Sequence, residues 1–358
     1  MSLKNHLPTT LCCIALILSL IACTGDDLPN QAQTDQDQST LSDDMTLDMS
    51  TDASRDADKD RIDATQDMPD ASTQPEDQPA DLDTPDLVDV PDMTADKDLS
   101  PFLPSSPCVE QARELACEYN TTEVDADGLT RDVHWQVPAG EPPLSGWPIV
   151  VFFQGSLYSS ELAWDNTEGS LYGAYQLTRT IKELLDRGFA VLAPEASYGG
   201  STYWDTNIWP YNYSWESSND HDLMLAIFDA AEEGTFGQLN TDRWFAMGIS
   251  SGGYMTSRMA VAYPGKFTAL AIASASYATC GGYYCSVPDA EDLPQDHPPT
   301  LFLHGSLDST VPLYTMEYYF DELQLLNVAT EQIVDDTAGH EWIPAAVEAV
   351  PRWFTTMN

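Results

Sequence analysis

Near the middle of the chain stands Met247-Gly248-Ile249-Ser250-Ser251-Gly252-Gly253-Tyr254-Met255. An apolar run, Arg243 to Ile249, leads into it and a helical pattern, Ser251 to Tyr263, leads out. A serine at such a junction must reverse the chain between a strand and a helix within about one residue. Side chains two positions before and two after would collide in that turn, and here both places are glycine, Gly248 and Gly252. The turn lifts the Ser250 hydroxyl clear of the strand. It also sets the Ser251 N–H at a helix N-terminus, where a developing negative charge is stabilised. The bare Gly-x-Ser-x-Gly pattern arises by chance about 0.1 times in a chain this long. The strand before it and the helix after it are what make it a nucleophile elbow.

The flanking sequence repeats the same alternation. Arg131 to Val137 reads as an edge strand, and Trp147 to Phe153 as a buried parallel strand. Tyr172 to Arg187 is helical and stops at Gly188; Phe189 to Ala193 is the next strand. Asp220 to Glu233 is a helix capped by Asn219 or Asp220 and followed by Gly234. After the elbow come strands at Phe267 to Ala273 and Thr300 to Leu303, then helices at Val311 to Leu326 and Ile343 to Met357. Strand-helix repetition predicts an α/β fold, with a mostly parallel central sheet and helices on both faces. Chemistry in such sheets sits at the C-terminal strand ends, where Ser250 falls.

A serine hydroxyl needs a base, and the base needs an orienting carboxylate. After an elbow serine they follow in the order acid, then histidine. Three histidines come after Ser250. His297, between Asp296 and Pro298-Pro299, reads as a surface-loop residue. His304 precedes a glycine at a strand end and suits a structural or pocket-lining role. His340, in Ala338-Gly339-His340-Glu341-Trp342, lies between the last strand and the last helix and is the candidate base. Asp308, just after the strand Thr300 to Leu303, is the candidate acid; Asp289, Asp292, Asp335 and Asp336 compete with it. The loop Phe153-Gln154-Gly155-Ser156-Leu157-Tyr158 is placed to give a second oxyanion donor, the N–H of Ser156 or of Leu157, beside that of Ser251. The run from Tyr203 to Trp215, with Trp204 and Trp209 between, is dense in aromatics. With Tyr254 it is a candidate substrate contact, or else it packs on the domain's own core.

The N-terminal third is of another kind. Leu11 to Ala22 is an apolar run of signal-peptide size, too short to span a bilayer, and it ends in Leu20-Ile21-Ala22-Cys23. That ending resembles a bacterial lipobox, which implies a signal at 1–22, lipid on Cys23 and attachment to the outer membrane or cell surface. Plain secretion and an uncleaved anchor are the alternatives. From 23 to 107 the chain is low in complexity and rich in aspartate, as in Asp56-Ala57-Asp58-Lys59-Asp60, and predicts a disordered, solvated tether rather than calcium loops. The folded catalytic domain is expected at 108–358. The formal net charge of −44 argues against nucleic acid as a partner and favours a neutral or apolar substrate. Four cysteines remain beyond Cys23. In an exported chain they predict disulfides, with the local pairs Cys108–Cys117 and Cys280–Cys285 preferred among three pairings. No histidine at ligand spacing accompanies them, so no metal and no cofactor is expected.

From Trp147 to the C-terminus the chain resembles the α/β-hydrolase esterases that include polyhydroxyalkanoate depolymerases and feruloyl esterases. The marks are Gly155 at a strand end, the elbow with its second glycine Gly253, the His304-Gly305-x-x-Asp308 pattern, and Gly339-His340 followed by Trp342. The elbow and the serine-acid-histidine spacing are most similar to the extracellular medium-chain-length polyhydroxyalkanoate depolymerases. The resemblance implies a Ser250–His340–Asp308 triad that cleaves polyester to hydroxyalkanoate oligomers or monomers. Many relatives carry histidine where Gln154 stands. A feruloyl, acetyl-xylan or general carboxylesterase uses the same triad, and a non-catalytic surface adhesin on a hydrolase fold is the reading from another class.

Overall fold

The computed structural model describes residues 107–196, 203–280 and 285–358. The expected signal at 1–22, Cys23 and nearly all of the tether at 23–107 lie outside the described residues.

Strands β1 (Cys108–Gln111), β2 (Glu114–Cys117), β3 (Asn120–Ala126), β4 (Leu129–Gln136), β5 (Trp147–Phe153) and β6 (Asp165–Thr167) open the fold. Then come α1 (Ala174–Asp186), β7 (Ala190–Pro194), α2 (Asn219–Glu232), β8 (Leu239–Ile249), α3 (Ser251–Ala262), β9 (Phe267–Ala273), β10 (Thr300–Gly305), α4 (Leu313–Leu325), β11 (Thr330–Asp335) and α5 (Ala346–Met357). Among the described residues the larger sheet has eight strands in the order β11-β10-β9-β8-β5-β7-β4-β3. It is parallel from β11 to β7, while β4 runs antiparallel to β7 and β3 antiparallel to β4. A small antiparallel sheet, β1-β2-β6, stands apart from it.

Alternation along the central strands builds the two faces. In β5, Val150 and Phe152 join a core with Leu177, Ile181 and Leu184 of α1 and with Ala346, Val350 and Phe354 of α5. Ile149, Val151 and Phe153 point the other way, into a core with Leu223 and Ile227 of α2 and Met255 and Met259 of α3. A period of two over a fully apolar run puts apolar side chains on both faces, which only a sheet covered on both sides can bury. A third core, under α4, gathers Ile272, Phe302, Met316 and Tyr319.

The structure amends several expectations. Strand β4 is not an edge: β3 pairs along its outer side from Asn120↔Trp135 to Ala126↔Leu129. Helix α2 is capped one residue earlier than expected, by Ser218, whose hydroxyl accepts from the N–H of His221 at 3.1 Å. Both local disulfides are present: Cys108–Cys117 ties β1 to β2 at a paired register position, and Cys280–Cys285 spans the undescribed residues 281–284.

Candidate active site

The strand-to-helix turn at Ser250 has the strained backbone that the glycine spacing predicts. Ser250 adopts φ 57° and ψ −124°, a region costly for a residue with a side chain, by about 1–3 kcal/mol. Its N–H donates to Ala273 O of β9 at 3.0 Å, and its carbonyl accepts from the N–H groups of Gly253 and Tyr254. The turn is thus held between a neighbouring strand and the first turn of α3. Both glycines are sterically required. A β-carbon on Gly252 would lie 2.0 Å from Phe153 O, and one on Gly248 would lie 2.3 Å from Gly252 O.

Asp308 follows β10 by three residues and His340 follows β11 by five, both beyond the C-terminal ends of their strands. The structure brings the two side chains together: His340 Nδ1 lies 2.8 Å from Asp308 Oδ2. Asp308 Oδ1 accepts from the N–H of Thr310 at 2.9 Å and of Val311 at 2.8 Å. Burial acts to raise the Asp308 pKa, but the hydrogen bonds from His340 and from these backbone groups outweigh it and hold the carboxyl below its ordinary value. An ionised carboxylate only accepts, so Nδ1 of His340 is the donor in this contact, and in the neutral ring that leaves the lone pair on Nε2. Ser250 and His340 line one cavity of about 260 Å³. A hydroxyl and an imidazole with a free Nε2, in one cavity with a carboxylate behind the ring, form the constellation that acyl transfer through a covalent serine intermediate needs.

The loop 154–158 lies beside Ser250: a β-carbon on Gly155 would come into contact with Ile249 O at 3.4 Å and with the Ser250 β-carbon at 3.5 Å. Among the described residues the N–H groups of Ser156 and Leu157 donate no hydrogen bond, whereas the next one, of Tyr158, closes a turn onto Gly155 O at 3.4 Å. Leu157 itself takes a positive φ of 65°. Ser156 and Leu157 line the same cavity as Ser250, so these N–H groups are candidate oxyanion donors beside that of Ser251, which begins α3. Gln154 anchors this loop. Its side chain donates to Tyr158 O and accepts from the N–H of Ala196, and its carbonyl accepts from the Trp204 indole at 2.9 Å. Nothing local in the sequence marks Gln154 as an anchor, because its partners lie 4, 42 and 50 residues away.

The aromatic segment divides. Trp204 is buried, edge-on to Phe153, and touches a second cavity beside Ser250 together with Tyr203 and Tyr254. Trp215 is buried with the Arg258 guanidinium 5.3 Å from its ring centre, and lines neither cavity. Trp209 is exposed and lines neither. Of the other histidines, His297 is buried rather than on the surface, bonded to Pro298 O and to the Tyr319 hydroxyl, and burial pulls its pKa down to about 4. His304 is fully buried behind the acid, with Nε2 2.9 Å from Val311 O and 3.5 Å from Asp308 Oδ2. Asp335 is occupied with the N–H and hydroxyl of Thr337. The described residues contain no group of three or more His, Cys, Asp or Glu arranged to hold a metal ion.

No family model matches the chain. A poly(3-hydroxyoctanoate) depolymerase of Pseudomonas fluorescens is 42% identical over 261 residues, covering 70% of this chain and 91% of that protein. Among solved structures, Est1E from Butyrivibrio proteoclasticus aligns at 14% identity and a TM-score of 0.45, over 66% of this chain and 98% of its own. The carboxylesterase of Bacillus cereus aligns at 13% and 0.46, over 64% and 95%. An acylaminoacyl peptidase of Pyrococcus horikoshii aligns at 13% and 0.46, over 67% of this chain but 40% of the peptidase. With the doubly covered parallel sheet and the elbow at the end of β8, the 42% identity means that this chain belongs to the poly(3-hydroxyoctanoate) depolymerase family and is an ester hydrolase of the α/β-hydrolase fold.

Proposed function

We propose that this protein hydrolyses the ester bonds of medium-chain-length polyhydroxyalkanoate by an acyl-enzyme route. Ser250 is the nucleophile, His340 the base and then the acid, and Asp308 the group that holds the imidazole in its working tautomer. The oxyanion is held by the N–H of Ser251 and that of Ser156 or Leu157. The observation that carries the reading is that His340, hydrogen-bonded to Asp308, lines the same apolar cavity as Ser250 in a chain 42% identical to a poly(3-hydroxyoctanoate) depolymerase. A cavity walled by Phe152, Leu162, Leu177 and Trp342 suits a substrate with long alkyl branches and no charge. The −44 formal charge points the same way.

The lipobox-like Leu20-Ile21-Ala22-Cys23 supports export with lipid on Cys23, and the acidic stretch 23–107 supports a spacer between the anchor and the catalytic domain at 108–358. In this reading the enzyme works at the outer membrane or cell surface.

The test is a substrate panel on the wild type and Ser250→Ala. Emulsions of poly(3-hydroxyoctanoate) and poly(3-hydroxybutyrate) are scored for clearing, and p-nitrophenyl esters and feruloylated sugars for release. The expected result is clearing of the octanoate polymer by the wild type and none by the variant. Rapid hydrolysis of soluble esters with no clearing of either polymer overturns the polyester reading in favour of a general carboxylesterase. Folded protein that takes no fluorophosphonate label overturns the enzyme reading in favour of an adhesin. Mass spectrometry of the mature N-terminus tests the anchor: a diacylglyceryl Cys23 is expected, and an unmodified N-terminus elsewhere rejects it.

A further inference from the structure

Two cavities meet at Ser250, each of about 260 Å³. They share Ser250, Ser156 and Thr310. The first also contains His340, and the buried part of its lining is Phe152, Ala163, Leu177 and Trp342. The second contains Ser251 and Tyr254 from the start of α3, with Trp204, Asn207, Ile208 and Val311 opposite, and does not reach His340. The nucleophile therefore sits between two compartments that differ in whether they hold the base.

That difference orients the substrate. When Ser250 Oγ bonds to the ester carbonyl carbon, its proton passes to His340 Nε2. When the tetrahedral adduct collapses, the bond from that carbon to the alkoxy oxygen breaks, its electron pair stays on the oxygen, and the oxygen takes the proton back from His340. The leaving oxygen must then lie on the His340 side of Ser250. In a 3-hydroxyalkanoate polymer the carbon attached to that oxygen itself carries the pendant alkyl chain. The branch thus begins one bond from the leaving oxygen, at the mouth of the compartment that contains the base. On the acyl side the corresponding branch starts two carbons beyond the carbonyl.

We infer that the first cavity binds the alcohol unit of the scissile ester, with that unit's pendant alkyl chain running inward towards Ala163, Leu177 and Trp342, and that the second cavity takes the acyl unit. Chain length is read on the alcohol side, against the buried apolar lining, while Tyr203, Ile208 and Tyr254 border the acyl unit. The inference rests on the catalytic roles proposed above and adds a direction to the polymer in the site.

Two ester series separate the sides. One is the butyrates of 2-alkanols from 2-butanol to 2-nonanol; the other is the methyl esters of 3-hydroxy acids from butanoate to decanoate. Two variants narrow one compartment each: Leu162→Trp, at a residue 48% exposed on the first, and Ile208→Trp, at a half-buried residue on the second. In the wild type, kcat/KM in the alcohol series is expected to rise by up to about fourfold per methylene until the cavity is full. Leu162→Trp should flatten that rise and leave the ratio of octanoate to butanoate esters in the acyl series within about twofold of wild type. Ile208→Trp should do the reverse. If Leu162→Trp flattens the acyl series instead, or flattens both series alike in protein that still takes fluorophosphonate at the wild-type rate, the assignment of the cavities is overturned. Failure of the catalytic reading shows separately, as hydrolysis of either series that survives in Ser250→Ala.

Discussion

His340 Nδ1 and Asp308 Oδ2 lie 2.8 Å apart, joining the loop after β11 to the loop after β10. The contact decides which nitrogen of the ring faces the cavity as a base. Asp308→Asn keeps the shape but offers an amide N–H or a weaker acceptor, so the ring can settle in the wrong tautomer. The expected outcome is a fall in kcat of about 10³–10⁴ with little change in KM. Steady-state kinetics on a soluble ester, with the rate of fluorophosphonate labelling, measures it; a loss below tenfold would remove Asp308 from the role of orienting acid.

Gly252 is confined by the carbonyls of Phe153 and Gln154, which a β-carbon would approach to 2.0 and 2.4 Å. These are backbone atoms at the end of the central strand and cannot move independently of the loop 154–158. Gly252→Ala should therefore cost about 3 kcal/mol or more in stability and disable the site together. Urea unfolding followed by tryptophan fluorescence gives the first number, and esterase activity of the remaining folded protein the second.

Arg131 on β4 and Asp220 at the start of α2 form a buried ion pair at 2.5 Å, and Asp220 also accepts from the backbone N–H of Asp205. Removing one member strands the other charge away from water. Arg131→Met is expected to cost about 3–5 kcal/mol, more than a surface pair would. A shift of the urea midpoint by less than 1 kcal/mol equivalent would contradict it.

Asp205 has its pKa pushed up to about 6, first by burial and then by the Asp220 charge. The sign follows from proton counting. Between the ordinary aspartate value near 3.8 and about 6, the folded state holds the proton more tightly than the unfolded one, so stability falls as pH rises through that window and is level above it. Asp205→Asn lacks this loss. It should be more stable than wild type at pH 8, by about 1 kcal/mol after allowing for solvent screening, and the gap should close towards pH 4. Thermal unfolding of both proteins at the two pH values tests the direction.

The candidate site is legible in the sequence because its parts are local patterns at the ends of regular elements. Gly248-x-Ser250-x-Gly252 marks its own turn through the local approach of a Gly248 β-carbon to Gly252 O, although the crowding at Gly252 itself comes from the distant carbonyls of Phe153 and Gln154. Asp308 and His340 each fall in a short loop directly after an apolar strand, and chain order assigns them. The alternation of β5 is equally local, and it alone required a sheet covered on both faces.

What the tertiary structure decided involves partners far apart in sequence, whose burial no short window reports. Trp204, Trp209 and Trp215 stand in one run, yet the first is tied to Gln154 O, the second is exposed and the third lies against Arg258. His297, between Asp296 and Pro298, reads as a loop residue in sequence, yet it is buried against the Tyr319 hydroxyl. The pairing of β3 outside β4, the Arg131–Asp220 pair and the anchoring of the loop 154–158 through Gln154 likewise depend on long-range packing. By itself the sequence determined that Ser250 stands on a strained turn at a strand end, because the glycine spacing is a local pattern, and that an aspartate and a histidine follow it after later strands, because their order is read along the chain. Only the tertiary structure decided that His340 meets Asp308 and that two separate cavities open on either side of Ser250, because contact and enclosure are properties of distant segments packed together.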